Sequence, residues 1–369
     1  MKVAIVCDWL VSIGGAERVV LELHRLYPDA PIYTSQYDPS RIDWFNDADV
    51  RTTWLQRMPT SLKKFLPILR AWTFSRLDLS EYDLVISSSG AEAKAVKTGP
   101  RTVHICYLHA PTHYYWARYD EYMENPGFPK GMNYIAKIGL KLLVGPLRQW
   151  DKRASKRPDY IIANSTYSQA AIKKYYNRDS TVIYPPVETD RFKLTGKTEL
   201  RHGFVAAGRQ TPYKRMDLAI EACNEAKVPL VVIGDGPDHK RLEKLGGRST
   251  TFLTNVNDNE IVSHFQTALG FIMPNADDFG IVAVEAMAAG TPVIAFGKGG
   301  SLDYVIPNKT GLLFEKQTVK SLSTALETAM TKNFNNEAIV DHAKLFSVEE
   351  FKKKMRDYIK QCLSDQKET

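Results

Sequence analysis

Asp277 to Glu285 reads DDFGIVAVE and runs directly into AMAAGTPVIA (286–295). A carboxylate pair, a glycine and a further carboxylate open what the apolar spacing predicts to be a helix. A glycine entering a helix leaves the first backbone N–H groups without intrahelical partners, and those groups attract phosphate. Glu285 falls about one turn into the helix, past the anion-binding end, where its carboxylate accepts hydrogen bonds from sugar or ribose hydroxyls. A phosphate seat beside a hydroxyl-binding carboxylate is what a nucleotide-sugar requires. Alone, DDFG reads as a solvated acidic loop. The ligand reading gains because GRQTPYKR (208–215) supplies the opposite charge at the end of another predicted strand.

Outward from this stretch, strands and helices alternate through both halves of the chain. KVAIVCDWL (2–10) reads as a buried strand, and SIGGAERVVLELHRLY (12–27) as a turn and helix. Strands follow at 30–35, 82–89, 102–109 and 160–165, then a helix at 168–176 and a strand at STVIYPPV (180–187). After TDRFKLTGKTEL (189–200), which reads as a linker, the pattern restarts. Strands are expected at 203–208, 229–236, 250–256, 269–276 and 291–297, with helices at 216–226 and 281–290 among those between them. Continuous apolar strands separated by helices imply parallel sheets covered on both faces. The expectation is an α/β chain of two Rossmann-like, doubly wound domains over 1–190 and 191–346. The tail, with Phe351, Met355, Tyr358 and Ile359 on one helix face, is expected to return to the first. Such domains bind ligands at the carboxyl ends of their strands, which can face each other across a cleft.

The 369 residues are 44% hydrophobic and 25% charged, ordinary for a soluble globular protein. No apolar run approaches the ~18 residues of a transmembrane helix. MKVAIVCDWL begins as a strand, not a signal peptide, so a cytoplasmic chain is expected. Cys7, Cys106, Cys223 and Cys362 show no pairing pattern and read as free thiols, suggesting neither zinc site nor disulfide. The net charge of +7 is unevenly spread. From Arg51 to Arg76, bases alternate with Leu55, Met58, Leu62, Phe65, Leu66, Leu69, Trp72 and Phe74, without an acid. Lys130 to Arg157 holds eight bases against the single acid Asp151. This interleaving suits an anionic membrane surface, and equally a helix covering the protein's own core. No nucleic-acid recognition motif accompanies the charge. No GxGxxG follows either leading strand, and GDGPD (234–238) has the wrong spacing for a dinucleotide fingerprint.

Arg209 and Lys214, with Arg215 as a weaker third, can neutralise a diphosphate leaving group at a strand end, Arg as a planar fork and Lys as a compact charge. His109 closes the strand TVHICYLH, where a histidine can hydrogen-bond a reacting group or simply close a loop. Tyr114, Tyr115 and Trp116 offer either stacking faces for sugars or core packing.

Together, GRQTPYKRMDLAI and DDFGIVAVEAMAAGTPVIA resemble the diphosphate-binding segment and paired-acid motif of retaining glycosyltransferases of the GT-B fold, family four. YLHAPTHYYW (107–116), NSTYSQAAI (164–172) and YPPVETDRF (184–192) are similar to a branch containing bacterial O-antigen mannosyltransferases. The likeness extends from the GGAE turn to KGGSLDYV (298–305). It implies that Asp277 lies near the donor sugar's hydroxyls and Glu285 holds the ribose. It further implies that the segment Phe279, Gly280, Ile281 and Val282 offers backbone N–H groups to sugar and phosphate. Gly14 and Gly15 would form the first-domain glycine turn, His109 would approach the donor sugar near the scissile bond, and His113 would serve the loop or acceptor. Two departures stand out: Asp277 occupies a position usually held by Glu, with Asp278 beside it to share the task, and Gly90 one often held by His. Lys94 remains in place in that pattern, or, on a predicted helix, simply faces solvent.

The expected activity is transfer of a hexose, mannose from GDP-mannose first and a UDP-hexose second, to a lipid-linked glycan hydroxyl with retained configuration. His109, Asp277, Arg209 and Lys214 form the expected catalytic set, with no metal and no cofactor. A sugar-nucleotide epimerase of similar architecture would bind the same donor without needing an acceptor.

Overall fold

The computed structural model describes residues 1–59, 67–124, 132–194 and 201–368. Leu62, Lys63, Lys64, Phe65 and Leu66 of the first basic stretch, Lys130 of the second, and 195–200 of the expected linker lie outside these. The chain forms two compact units, Met1–Pro186 with Phe351–Thr369, and Val187–Glu350.

The first unit runs β1 (Val3–Cys7), α1 (Gly15–Leu26), β2 (Ile32–Thr34), β3 (Val50–Thr52), α2 (Pro67–Arg76), β4 (Leu84–Ser89), β5 (Val103–Leu108), α3 (Tyr119–Glu124), α4 (Met132–Ala154), β6 (Tyr160–Ala163), α5 (Thr166–Tyr176) and β7 (Thr181–Val182). Its sheet has the order β3-β2-β1-β4-β5-β6-β7, every pair parallel. The central strands β4 and β5 are buried along their whole length, which is why they read as unbroken runs. β3, three residues with two polar ones, gives no apolar run to detect. Of the expected strand over 180–187, only Thr181 and Val182 join the sheet, since Pro185 and Pro186 carry no N–H for a ladder.

Between β4 and β5 a histidine is buried against a serine. His104 Nε2 lies 2.8 Å from Ser87 Oγ, and burial, reinforced by Arg157 and Arg178, pushes the imidazole pKa down to about 3. The folded chain thus refuses a proton that the unfolded chain accepts below about pH 6.5. His104 therefore contributes stability that is present above pH 6.5 and lost as pH falls towards 3, at about 1.4 kcal/mol per pH unit. Urea titrations of His104→Gln against wild type across this window are expected to show a flatter acid loss in the variant.

The second unit runs β8 (Phe204–Ala207), α6 (Met216–Ala226), β9 (Leu230–Ile233), α7 (His239–Leu245), β10 (Thr250–Leu253), α8 (Asp258–Thr267), β11 (Gly270–Met273), α9 (Ile281–Ala288), β12 (Val293–Phe296), β13 (Gly311–Phe314), α10 (Val319–Thr331) and α11 (Asn336–Ala343). Its parallel sheet has the order β10-β9-β8-β11-β12-β13. The edge strand β13, a four-residue GLLF, was not expected from the sequence. Phe204, Leu230, Ile272 and Ile294 from the sheet pack with Leu218, Leu322 and Leu326 from the helices.

The last helix, α12 (Val348–Glu368), buries Phe351, Met355, Ile359 and Cys362 in the first unit's core with Ile5, Val19, Ile162 and Ile183. Each large apolar side chain so buried contributes about 1.5–3 kcal/mol. Lys352 adds an ion pair to Glu22 at 2.9 Å.

Both sheets reverse direction once. In the first unit the chain leaves β1 for β2 and β3, then returns to β4 on the other side of β1. In the second it leaves β8 for β9 and β10 and returns to β11. The crevices at the carboxyl ends of β1/β4 and β8/β11 are therefore the switch points where such sheets accept ligands. The segments singled out in the sequence follow these strands: Gly208–Arg215 after β8, Asp277–Gly280 after β11, Gly14–Gly15 after β1 and Gly90 after β4.

Candidate functional site

In the second unit, the loop after β8 is seated on glycines. A Cβ on Gly234 would stand 2.3 Å from the Gly208 carbonyl oxygen, and one on Gly236 2.2 Å from that of Gln210. The GDG sequence thus lets the β8 loop lie directly on the β9 loop. Gln210, fully buried, fastens them by donating to the Gly234 carbonyl at 2.7 Å while its Oε1 meets His239 Nδ1 at 2.7 Å. Arg209 projects from this platform as an exposed residue. Lys214 ends the short turn Pro212–Lys214, and Arg215, held at φ 52°, turns back to Asp217 at 3.3 Å.

Lys214 Nζ forms an ion pair with Asp277 Oδ2, so the two charged motifs meet across the β8/β11 switch point. Their side chains keep 20% and 17% of their surface accessible, enough for a ligand to reach both. Asp277 is positioned by its backbone: its carbonyl accepts from the Gly300 N–H at 2.8 Å. Cβ atoms on Gly299 and Gly300 would stand 2.7 Å from the Asp277 oxygen and 2.4 Å from Phe279 Cα. The KGG at the end of β12 is therefore a close-packing device holding the acidic loop.

Gly280 caps α9 with φ 93°, a conformation that strains any residue with a Cβ. Tyr304 Oη donates to Met273 Sδ at 3.0 Å directly beneath it, and burial, with Asp277 and Asp303 nearby, holds the phenol well above its usual range. A methyl on Gly280 would lie 2.5 Å from Met273 Cε and 2.8 Å from Tyr304 Oη. Gly280→Ala is accordingly expected to cost about 1–3 kcal/mol of stability and to weaken anion binding at the helix end. Denaturant titration and nucleotide calorimetry read the two effects, and unchanged values in both would refute this account of the cap.

α9 buries Ala283 through Ala288 and leaves Ile281 and Val282 half-buried at its first turn, where backbone N–H groups lack intrahelical acceptors. Glu285 lies one turn further in and is 7% exposed. Phe279 is buried, its ring 5.5 Å from Tyr304 and 5.7 Å from Phe346, so its side chain packs and only its backbone faces the loop.

The first unit presents a different set. Gly14 caps α1 in extended backbone, and a Cβ there would stand 2.8 Å from Glu17 Oε2. The helix end marked by Gly14 and Gly15 thus already faces a carboxylate, which an approaching phosphate would meet. His109, half-buried just past β5, bonds Ser88 Oγ through Nε2 at 2.8 Å and stands edge-on to Tyr107 at 5.3 Å. Gly90 lies beside it, with 4.0 Å from its Cβ position to His109 Cβ.

Beneath this edge lies a polar network that the sequence reading did not single out. Asp8, buried at the end of β1, accepts the backbone N–H groups of Gly90, Ala91, Glu92 and Ala93 at 2.7–3.0 Å. Its one sequence signal is a carboxylate directly following a buried strand. Lys94, for which the sequence leaves open a place in the acceptor-side pattern or a solvent-facing helix position, is 1% exposed in the turn Ala93–Ala95, so the solvent-facing alternative fails. It pairs with Asp151 at 2.7 Å and donates to the Ala91 carbonyl. Burial works against the Lys94 charge, but Asp151 outweighs it and holds the ammonium above its usual range. The correction has a physical reason: a lysine can be buried where a carboxylate from another element is built to meet it.

Asp151 also accepts from Thr112 (3.0 Å), Trp116 Nε1 (2.7 Å) and Tyr176 (2.6 Å). Glu92 receives Arg70 at 2.8 Å and the Tyr114 hydroxyl at 2.8 Å, and burial raises its pKa despite the guanidinium. Tyr115 is buried as well. Tyr114, Tyr115 and Trp116 are thus packing and network residues. Lys214 and Asp277 come together beside the α9 cap, and Arg209 lies in the same unit, whereas Gly14, Gly15 and His109 belong to the other.

Residues 13–191 match the family described as Glycosyltransferase Family 4, and residues 188–366 match Glycosyl transferases group 1. The chain is 29% identical over 205 residues to the GDP-mannose-dependent alpha-(1-6)-phosphatidylinositol monomannoside mannosyltransferase of Mycobacterium tuberculosis, covering 47% of this chain and 53% of that one. The chain thus spans about half the length of this curated relative. Its likeness to the mouse Alpha-1,3/1,6-mannosyltransferase ALG2 is 24% identity over 87% of this chain and 86% of that one. Among solved structures, Anabaena HepE in complex with UDP superposes with a TM-score of 0.67 at 20% identity, covering 98% of this chain and all of the other. Sucrose-phosphate synthase from Thermosynechococcus elongatus gives 0.71 at 17% identity, over 99% and 100%. At these identities the two structures speak for the fold alone.

Proposed function

Because the chain belongs to the glycosyltransferases, its first half in family 4 and its second in group 1, we propose that it transfers mannose from GDP-mannose to a hydroxyl of a lipid-linked glycan, with retained configuration. The observation that carries this reading is the meeting of Lys214 and Asp277 beside the α9 cap. That arrangement would offer a cation and helix-end N–H groups to a diphosphate, next to a carboxylate suited to sugar hydroxyls.

As the bond from C1 to the β-phosphate oxygen breaks, negative charge grows on the phosphate. Lys214, Arg209 and the helix end would oppose it, an electrostatic contribution that is commonly the largest in such sites. The acceptor oxygen forms its bond to C1 on the same face and passes its proton to the departing phosphate. Arg209 and Lys214 supply the charge compensation without a metal. Glu285 is assigned to the ribose, Asp277 to the donor sugar, and His109 to the sugar near the bond that breaks. Mannose is favoured by the chain's likeness to two mannosyltransferases. A lipid-linked acceptor places the reaction in surface polysaccharide synthesis at the cytoplasmic face of the membrane, and the four free, buried cysteines suit a reducing compartment.

Calorimetric titration with GDP, UDP and ADP tests the donor site. Saturable binding of GDP, with mannose transfer from GDP-mannose giving the retained anomer by NMR, is the expected result. Preference for UDP would redirect the donor to a UDP-hexose. Sugar-nucleotide isomerisation without acceptor would make the protein an epimerase, and no nucleotide binding at millimolar concentration would defeat the donor-site assignment.

A further inference from the structure

Along α4, Tyr134, Ile138 and Leu142 recur every four residues and leave 72%, 43% and 72% of their surface in solvent. Four-residue spacing aligns them as one stripe on the helix. The buried residues Val144, Asp151 and Ala154 lie on the opposite side, so the stripe is not this helix's core face. Lys137 and Lys141 each precede a member of the stripe. The only acid of α4 is Asp151, buried and paired with Lys94.

α2 repeats the arrangement on a smaller scale. Ile68 and Trp72, again four apart, are about half exposed, and Trp54 stands edge-on to Trp72 at 6.5 Å. The Arg76 guanidinium lies 4.2 Å from the Trp72 ring, and α2 contains no acid. The two helices meet where Trp150 Nε1 donates to Ser75 Oγ at 3.2 Å. Half of the large apolar side chains exposed among the described residues fall on α2, α4 and Trp54, a concentration that marks an interaction surface rather than scattered exposure.

We propose that the outer faces of α4 and α2 seat the protein on an anionic bilayer. Apolar residues enter the boundary between headgroups and acyl chains while the flanking bases meet lipid phosphates. Charge decides between occupants. A second copy docking through the same face would set Lys137, Lys141 and Arg76 against their own like charges, since a two-fold interface pairs a patch with itself. Anionic headgroups complement those charges. Among the described residues no helix is long and apolar enough to cross a membrane, so α4 lies along the surface. This deepens the reading of a lipid-linked acceptor, on which its biological purpose rests.

Cosedimentation with vesicles of phosphatidylcholine, with and without phosphatidylglycerol, tests the seat on the full chain. Wild type is expected to partition to the anionic vesicles and to release in high salt. Lys137→Gln/Lys141→Gln should lose about fivefold in partitioning per lysine, and Ile138→Ser/Leu142→Ser about tenfold or more. Thermal unfolding and GDP titration should match wild type in both variants. Equal partitioning to neutral vesicles, or variants that bind like wild type, would overturn the proposal. So would a wild-type dimer in light scattering that Ile138→Ser/Leu142→Ser dissociates while neither protein binds vesicles. Vesicle binding without any nucleotide binding would leave the seat standing and defeat the donor assignment instead.

Discussion

Lys214→Ala is expected to lower the transfer rate by about 10²–10³-fold, comparable to removing one oriented donor from an oxyanion site, and to weaken nucleotide binding in calorimetry. Two effects act in the same direction. The substitution removes a cation placed to oppose charge on the departing phosphate, and it withdraws from Asp277 the ammonium that pairs with it. The diphosphate would then approach a carboxylate without that compensation. Adding Asp277→Asn should recover part of the nucleotide affinity lost in Lys214→Ala, because the anionic repulsion is gone. It should not recover transfer, for which Asp277 is assigned to the sugar hydroxyls. Wild-type nucleotide affinity in Lys214→Ala would show that the ion pair is merely structural. A double variant no better than the single at binding nucleotide would refute the repulsion.

Asp8→Ala is expected to destabilise the first unit by about 3–5 kcal/mol, the largest stability effect among these variants. Four backbone N–H groups over Gly90–Ala93 converge on this one buried carboxylate, and the turn they form carries Glu92 and Lys94 into their own ion pairs. Alanine leaves those donors facing a cavity. Asp8→Asn is expected to cost nearly as much, since its amide nitrogen would point a donor at donors. Urea titration should show the early loss of the first unit, while GDP binding by the folded variant should persist, because Lys214, the α9 cap and Glu285, assigned to the diphosphate and ribose, lie in the other unit. Stability within about 1 kcal/mol of wild type, the net worth of a single ordinary hydrogen bond, would mean the turn holds its shape without the carboxylate.

Much of this chemistry was legible before any coordinate. Gly280 announced a helix entered from a glycine, and the structure places it at φ 93° as the α9 cap. Lys214 and Asp277 read as opposite charges at two strand ends, and they make an ion pair. What escaped were features without a local pattern. β3 is an edge strand with two polar residues of three, and β13 an edge strand of four, and neither was expected from the sequence. Lys94 looked like a solvated helical lysine because its partner, Asp151, lies 57 residues away on α4.

The alternation of strands and helices, the glycines at strand ends and the charges beside them follow from local sequence. Each of these is written in neighbouring residues, through backbone conformation and the spacing of apolar side chains. Tertiary structure alone decided which ends became switch points, since strand order depends on how distant segments pair. It alone decided that Asp8 would gather the 90–93 turn, that Phe279 would pack while its backbone turned to the loop, and that Tyr134, Ile138 and Leu142 would stay outside. The physical reason is common to all of them: burial and pairing are properties of a side chain's surroundings, and those surroundings come from parts of the chain far away in sequence.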